Sequence, residues 1–269
     1  MVTLSVAYMV RDEMAYMPES LAQSEKIADE IVCVVDSRSV DGTFRFLQGK
    51  AERDSRYKVF LRVFDFEGNQ KNFARDRCTQ DWIQFLDGDE ILSDNCEMLK
   101  EVIRLAVEQG RESISIRGHH FMGSLGFEDA AVEKHWWQNR AFKNLPRIRF
   151  GGTHHAILEG FDNKGVLPAT EQVRIFHFGY ARNLIRVMEK NEQDRSTLEI
   201  HSAEFLDMWK NAHLFGFYPV KKYEGPLPQV ILDKFKIPYK EGTVGADLAT
   251  GKDSTAIHVT GGDENENIL

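Results

Sequence analysis

Three carboxylates crowd into four residues at Asp87-Gly88-Asp89-Glu90, directly after the apolar run Trp82 to Leu86. Two aspartates on a tight turn supply hard oxygen ligands that suit Mg2+ or Mn2+, and a glycine between them lets the backbone approach a ligand closely. A cation held this way usually completes its shell with phosphate oxygens, so the chemistry on offer is the handling of a phosphate group. An isolated Asp-x-Asp leaves a second reading open, a solvated acidic turn. Two more polar clusters follow apolar runs: Arg11-Asp12-Glu13 and Asp36-Ser37-Arg38-Ser39. Asp36 can accept hydrogen bonds from a base or ribose, whereas Asp41 and Thr43 suit capping of the helix that follows.

These clusters meet only if the intervening chain folds as repeated βα units. The pattern predicts strands over 2–10, 30–36, 58–66 and 82–87, separated by a helix over 16–28, a loop entering a helix over 37–52 and a short helix over 69–80, and hence a parallel sheet. Continuous apolar strands need both faces covered, and open α/β sheets bind ligands beyond the carboxyl ends of their strands. That rule gathers the three clusters at one edge. Further on, 97–110 reads as an amphipathic helix closed by Gly110, and SISIRGHHFMG, RIRFGG and VRIFHFGY read as strands. His119 and His120, adjacent on a strand, point to opposite faces and so cannot readily share one ion. Trp136-Trp137 fits the core or an acceptor rim.

A chain of 269 residues with 42% hydrophobic composition can bury a core of its own, and its formal charge of −8 gives no footprint for duplex nucleic acid or an anionic membrane. Cys33, Cys78 and Cys96 show no paired spacing, which argues against a disulfide framework or a zinc cluster and for a reducing cytoplasm. No apolar stretch approaches ~20 residues, the length of a membrane span, and the first residues lack signal-peptide character.

In order along the chain, SVAYMVRDE, ADEIVCVVDSRSVDGT and NQKNFARDRCTQDWIQFLDGDEIL resemble family 2 glycosyltransferases with the GT-A fold, in particular the bacterial branch acting in lipopolysaccharide core or related glycan assembly. The resemblance implies an α/β, Rossmann-like nucleotide-diphospho-sugar transferase: a central mixed sheet flanked by helices, with a C-terminal helical extension. It implies that Asp36 contacts the base or ribose, that Gln70, Asn72 and Arg75 face the ribose and diphosphate, and that Val10, Arg11, Glu13, Asp87 and Gly88 border the same nucleotide. Asp87 and Asp89, with His177 from His177-Phe178-Gly179-Tyr180, would hold Mn2+ or Mg2+. At 177 the alternative is a strand-end histidine satisfied by backbone groups. The donor expected is a UDP-sugar, and the acceptor a hydroxyl of a glycan, glycolipid or other molecule.

Inverting transfer needs a general base for the acceptor hydroxyl. Glu128 and Asp129, on a glycine-flanked loop where related enzymes place an acid, are candidates; they could equally charge the first turn of a helix. His155 is the rival, standing in Gly152-Thr153-His154-His155 where the family has glutamate. The expected plan is a catalytic domain over 1–182 (nucleotide-sugar half 1–95, acceptor half 96–182), a helical extension over 183–218 able to form a homodimer contact, and a Pro/Gly-rich acidic tail over 219–269. Two other functions fit the same layout: a non-catalytic nucleotide-sugar-binding protein, and a sugar nucleotidyltransferase. The latter usually carries an early glycine-rich basic loop, and SVAYMVRDEMAYM contains no glycine.

Overall fold

The computed structural model describes residues 2–130, 137–152, 156–162, 166–168, 173–182 and 220–237. Strands β1 (Leu4–Val10), β2 (Glu30–Asp36), β3 (Tyr57–Arg62) and β4 (Trp82–Asp87) pair in parallel in the order β3-β2-β1-β4. Helices α1 (Met17–Ser24), α2 (Thr43–Ala51) and α3 (Glu67–Arg75) make the crossovers. The strands are apolar throughout because both faces are covered. Leu4, Val6, Tyr8 and Val10 pack with Met17, Leu21 and Leu47 on one side, while Ala7, Val32, Val34, Ile83 and Phe85 pack with Ala74 of α3 on the other. Helix α4 (Met98–Glu108) adds Leu99, Val102, Ile103 and Ala106 to the first cluster, and Gly110 ends it at φ +66, where a side chain would be strained.

β3 ends at Arg62 instead of reaching residue 66. It is an edge strand, and the hydrogen bonds of Asp65 to Arg62 and Asn69 turn the chain into α3, leaving Val63 and Phe66 exposed. Beyond β4 the sheet becomes mixed, with β5 (Glu90–Leu92), β6 (Ser113–Met122), β7 (Phe127–Asp129) and β8 (Trp137–Lys143). β8 runs antiparallel to both β4 and β6 and joins the two halves. β9 (Arg149–Gly151) and β10 (Ile157–Glu159) form a separate hairpin, and β11 (Val166–Pro168) lies parallel to β6. β12 (Arg174–Tyr180) inserts between β5 and β6, antiparallel to the first and parallel to the second.

Two expectations need correcting. Glu128 and Asp129 lie on strand β7, paired with β6 at Phe121, and not on a loop or a helix's first turn. Three residues are too short a run for periodicity to disclose. The tail expected from 219 is packed as far as 237: β13 (Val220–Lys222) pairs with β7, and α5 (Gln229–Lys234) docks on the sheet. Tyr223, Leu227, Ile231 and Leu232 join Tyr16, Phe121, Phe176 and Phe178 in a third cluster, and Pro226 and Pro228 lead into α5. The extension over 183–218, with its dimer contact, and residues 241–269 lie outside the described residues. All three cysteines are free, buried thiols, and no helix among the described residues is long and apolar enough to cross a membrane.

Candidate active site

The carboxyl ends of β1, β2 and β4 bring the three polar clusters together. Asp12 turns the chain at φ +52, and its Oδ1 accepts hydrogen bonds from Val40 N (2.6 Å), Asp41 N (3.1 Å) and Ser39 Oγ (3.1 Å). Glu13 N donates to Thr43 Oγ1 at 3.0 Å and Met14 N to Asp41 Oδ2 at 2.9 Å. Asp41 and Thr43 therefore bind the loops after β1 and β2 to each other as well as leading into α2. Asp36 is buried, with Arg38 Nη2 2.7 Å and Arg11 Nη1 3.6 Å from its Oδ2. Burial alone would raise its carboxyl; the hydrogen bonds and charge of Arg38, with Arg11 behind, bring it below its ordinary value.

At the acidic turn, Asp87 Oδ1 lies 3.7 Å from Lys71 Nζ, and Asp87 Oδ2 lies 3.3 Å from Arg140 Nη2. Lys71 is nearly enclosed, bound to Glu67 at 2.6 Å and lying over the rings of Phe85 and Phe150. Glu90 is buried and bonded to Arg140 Nη2 at 2.5 Å, while its Oε2 accepts from Asp87 N at 2.9 Å. Burial opposes charge on both acids. At Asp87 the cations Lys71 and Arg140 win and its pKa falls; at Glu90 burial, with the Asp87 and Asp89 charges added, outweighs Arg140 and pushes it up to about 8. At Gly88 a Cβ would stand 2.8 Å from Glu13 Cγ and 3.1 Å from Val10 Cγ1, so a larger residue there needs the Glu13 side chain to shift.

Asp89 meets the residues of β12. His177 Nε2 lies 3.5 Å from Asp89 Oδ1, and Phe178 N donates to the Asp89 carbonyl at 2.9 Å. His120, beside His177 in register, stacks on Tyr180, with its ring 4.4 Å from that of His177; His119 faces the other way. Gly179 lets the two candidate ligands close against its backbone: a Cβ there would lie 2.7 Å from both Asp89 Oδ2 and His177 Nε2. Among the described residues no three His, Cys, Asp or Glu side chains cluster in metal-holding geometry. A carboxylate and an imidazole 3.5 Å apart nonetheless suit Mg2+ or Mn2+, which take one or two protein ligands and fill the remaining positions with water and phosphate. Arg182 closes the group, its Nη2 bonded to Glu13 Oε2 and 3.4 Å from Asp89 Oδ2.

The remaining candidates are placed as follows. Gln70 is fully buried, its Oε1 accepting from Arg62 Nη1 at 2.7 Å, and its Nε2 has no hydrogen-bond partner among the described residues. Asn72 clamps the backbone of Phe150 by two hydrogen bonds of 2.8 and 2.9 Å, and Arg75 binds Asp76 and the Leu145 carbonyl. Lys71 is thus the α3 residue that reaches the acids. Glu128 bonds His119 Nδ1 at 2.9 Å and Lys221 at 2.7 Å, and it lines a cavity of about 720 Å³ with Arg117, Arg174, Phe176 and Tyr223. Burial would raise its carboxyl, but His119 and Lys221 bring it below the ordinary range. Because Glu128 shares the His119 face, strand alternation turns Asp129, also buried, toward the face carrying His120 and His177. His155 lies outside the described residues. His120, weighed with His119 in the sequence, lies beside His177, and Lys71, Arg140 and Arg182 are the site residues that motif reading missed. Only their positions beside matched segments (Gln70-Lys71-Asn72, Arg140-Ala141-Phe142, two residues after Tyr180) could have signalled them.

A largely parallel sheet with helices on both faces and an acidic turn at its carboxyl edge defines an α/β protein of the doubly wound kind. The family described as Glycosyl transferase family 2 matches residues 5–161, more than half of the chain, and the protein belongs to that family. It is a glycosyltransferase with the GT-A fold. Among solved structures it is similar to S. aureus TarS 1-349 in complex with UDP-GlcNAc, at 15% identity and TM-score 0.46, covering 79% of this chain and 71% of that one. It is also similar to the mannosyltransferase PcManGT of Pyrobaculum calidifontis in complex with GDP-Man and Mn2+, at 13% identity and TM-score 0.49, covering 79% and 70%. No curated protein matches it in sequence.

Proposed function

We propose that the protein is a metal-dependent, inverting glycosyltransferase that moves a sugar from a UDP-sugar to an acceptor hydroxyl, with a glycolipid or surface-polysaccharide precursor as the acceptor class. The observation that carries this reading is the Asp89–His177 pair across Gly179, set beside Lys71 and Arg140 at the carboxyl edge of the sheet. A divalent cation held by Asp89 and His177 supplies positive charge against the departing nucleotide diphosphate. Asp36, fixed as a carboxylate by Arg38, accepts from the base or ribose. Lys71 and Arg140 hold Asp87 ionised and in place. Asp129 takes the proton of the acceptor hydroxyl as that oxygen attacks the sugar, and its β7 neighbour Glu128, neutralised by His119 and Lys221, keeps the strand anchored.

A calorimetric panel of UDP-, GDP-, CMP- and dTDP-sugars, with and without Mn2+, on the wild type and Asp89→Ala tests the reading. One nucleotide binding in a metal-dependent way that Asp89→Ala abolishes supports it. Equal binding of a nucleotide sugar with and without Mn2+ overturns the metal requirement, and absence of binding across the panel overturns the donor assignment.

A further inference from the structure

Two buried acids from distant segments share one cation. Glu13, three residues beyond β1, and Asp89, at the acidic turn, are 3% and 2% exposed, and Arg182 Nη2 touches both carboxylates. The guanidinium itself is 6% exposed and lies 5.2 Å over the ring of Tyr16. Burial works against its charge, and the two carboxylates more than offset that, holding it firmly protonated. The other oxygen of Asp89, Oδ1, lies 3.5 Å from His177 Nε2, and Gly179 lets both side chains close against its backbone. Asp89 thus offers one oxygen toward an internal cation and the other toward His177, so an entering metal ion and Arg182 would draw on the same carboxylate.

We propose that Arg182 is the resting counter-ion of the donor site: it neutralises Glu13 and Asp89 in the metal-free enzyme, and a divalent cation must displace it from Asp89 to bind. This rests on the metal reading above. Asp36 and Asp87 each hold two monovalent cations within 4 Å, but the ion entering at Asp89 is divalent, so its repulsion of Arg182 across one buried carboxylate is larger and the guanidinium gives way. Arg182 then sets how tightly the bare metal binds. A nucleotide diphosphate arriving with the metal gives the released guanidinium a new anion, so metal and nucleotide should bind synergistically, and less so once Arg182 is gone.

Mn2+ binding without nucleotide, followed by electron paramagnetic resonance of free Mn2+, tests this on the wild type, Arg182→Gln and Arg182→Lys. The expected result is Mn2+ affinity at least tenfold higher in Arg182→Gln, with a smaller gain in affinity on adding UDP than the wild type shows. Unchanged or weaker Mn2+ binding in Arg182→Gln, against measurable wild-type binding, overturns the proposal and leaves the metal reading standing. No Mn2+ bound by the wild type, with UDP or without, overturns both. Should Arg182→Gln fail to fold, the wild type still reports. Its Arg182 Nε–H resonance, identified by its loss in Arg182→Lys, should shift on titration with Mg2+, and an unmoved resonance at saturating Mg2+ overturns displacement.

Discussion

Gly179→Ala offers a sharp test of the pairing of Asp89 and His177. The backbone at 179 needs no left-handed conformation, so alanine meets no backbone strain, and the smaller freedom of the unfolded chain favours the variant by about 0.4–1 kcal/mol. Against that, the new Cβ stands 2.7 Å from Asp89 Oδ2 and from His177 Nε2, where ordinary contact begins at 3.4 Å, an overlap of 3.4 − 2.7 = 0.7 Å with each. Overpacking of this kind costs about 1–3 kcal/mol. The net loss of stability is then no more than about 2.6 kcal/mol, which is about 5–10 °C in melting temperature. Function should suffer far more. Relief of the overlap moves the two side chains by several tenths of an ångström, and misplacement on the ångström scale costs about 100-fold in rate. Thermal melts paired with Mn2+ titration and sugar transfer measure both quantities on one sample. A folded Gly179→Ala that binds Mn2+ and transfers sugar as the wild type does would refute the assignment of Asp89 and His177 to the metal.

Three further outcomes follow from the same geometry. Asp129→Asn should lower kcat by about 100- to 10,000-fold while Glu128→Gln keeps most of the activity; the reverse order in steady-state transfer assays would move the base to the other face of the sheet. Glu30→Gln should cost about 1–3 kcal/mol at pH 7, because Ser5, Thr79 and Lys58 all bind the Glu30 carboxylate. Although burial opposes its charge, those partners hold its pKa below the ordinary 4.5. Its contribution is therefore complete above that value and lost as pH falls through the lower folded one, so the gap in urea midpoint between wild type and variant should narrow on acidification below about pH 5. An unchanged gap at lower pH would contradict this. Lys71→Met keeps the stem over Phe85 and Phe150 but removes the charge from Glu67 and Asp87. Denaturant unfolding should show a loss of about 3 kcal/mol, and a neutral result would mean that the enclosed ammonium does not stabilise the acids.

The parallel half of the sheet was legible because its strands are long, apolar and separated by helices of ordinary length: 30–36 is buried at every residue, as a central strand must be. β8 was not, since Trp-Gln-Asn-Arg-Ala-Phe-Lys has no clean alternation and owes its place to β4 and β6 on either side. In the site, acids announced themselves by clustering, whereas their partners Lys71, Arg140 and Arg182 are single cations whose meaning depends on a fold that brings residues 13, 87, 89 and 182 together. Asn72 and Arg75 show a different gap. A nine-residue polar helix has too weak an apolar stripe to fix its rotation, and the structure turns Lys71 to the acids while giving Asn72 to the Phe150 backbone.

The position of β12 bears on how the enzyme is made. It is nearly ninety residues downstream of the acidic turn, yet it fills the slot between β5 and β6 and supplies Phe178 N to the Asp89 carbonyl. During synthesis the first four strands can pair long before this segment leaves the ribosome, but until then Asp89 and Glu13 lack Arg182, and β5 lacks its antiparallel neighbour. A nascent chain at that stage would hold buried acids without their counter-charge, which favours an open, hydrated edge over a closed one. Donor affinity should therefore arise late and all at once, when residues 174–182 zip into the sheet, and the half-domain that looks self-sufficient in sequence would be a poor nucleotide binder on its own.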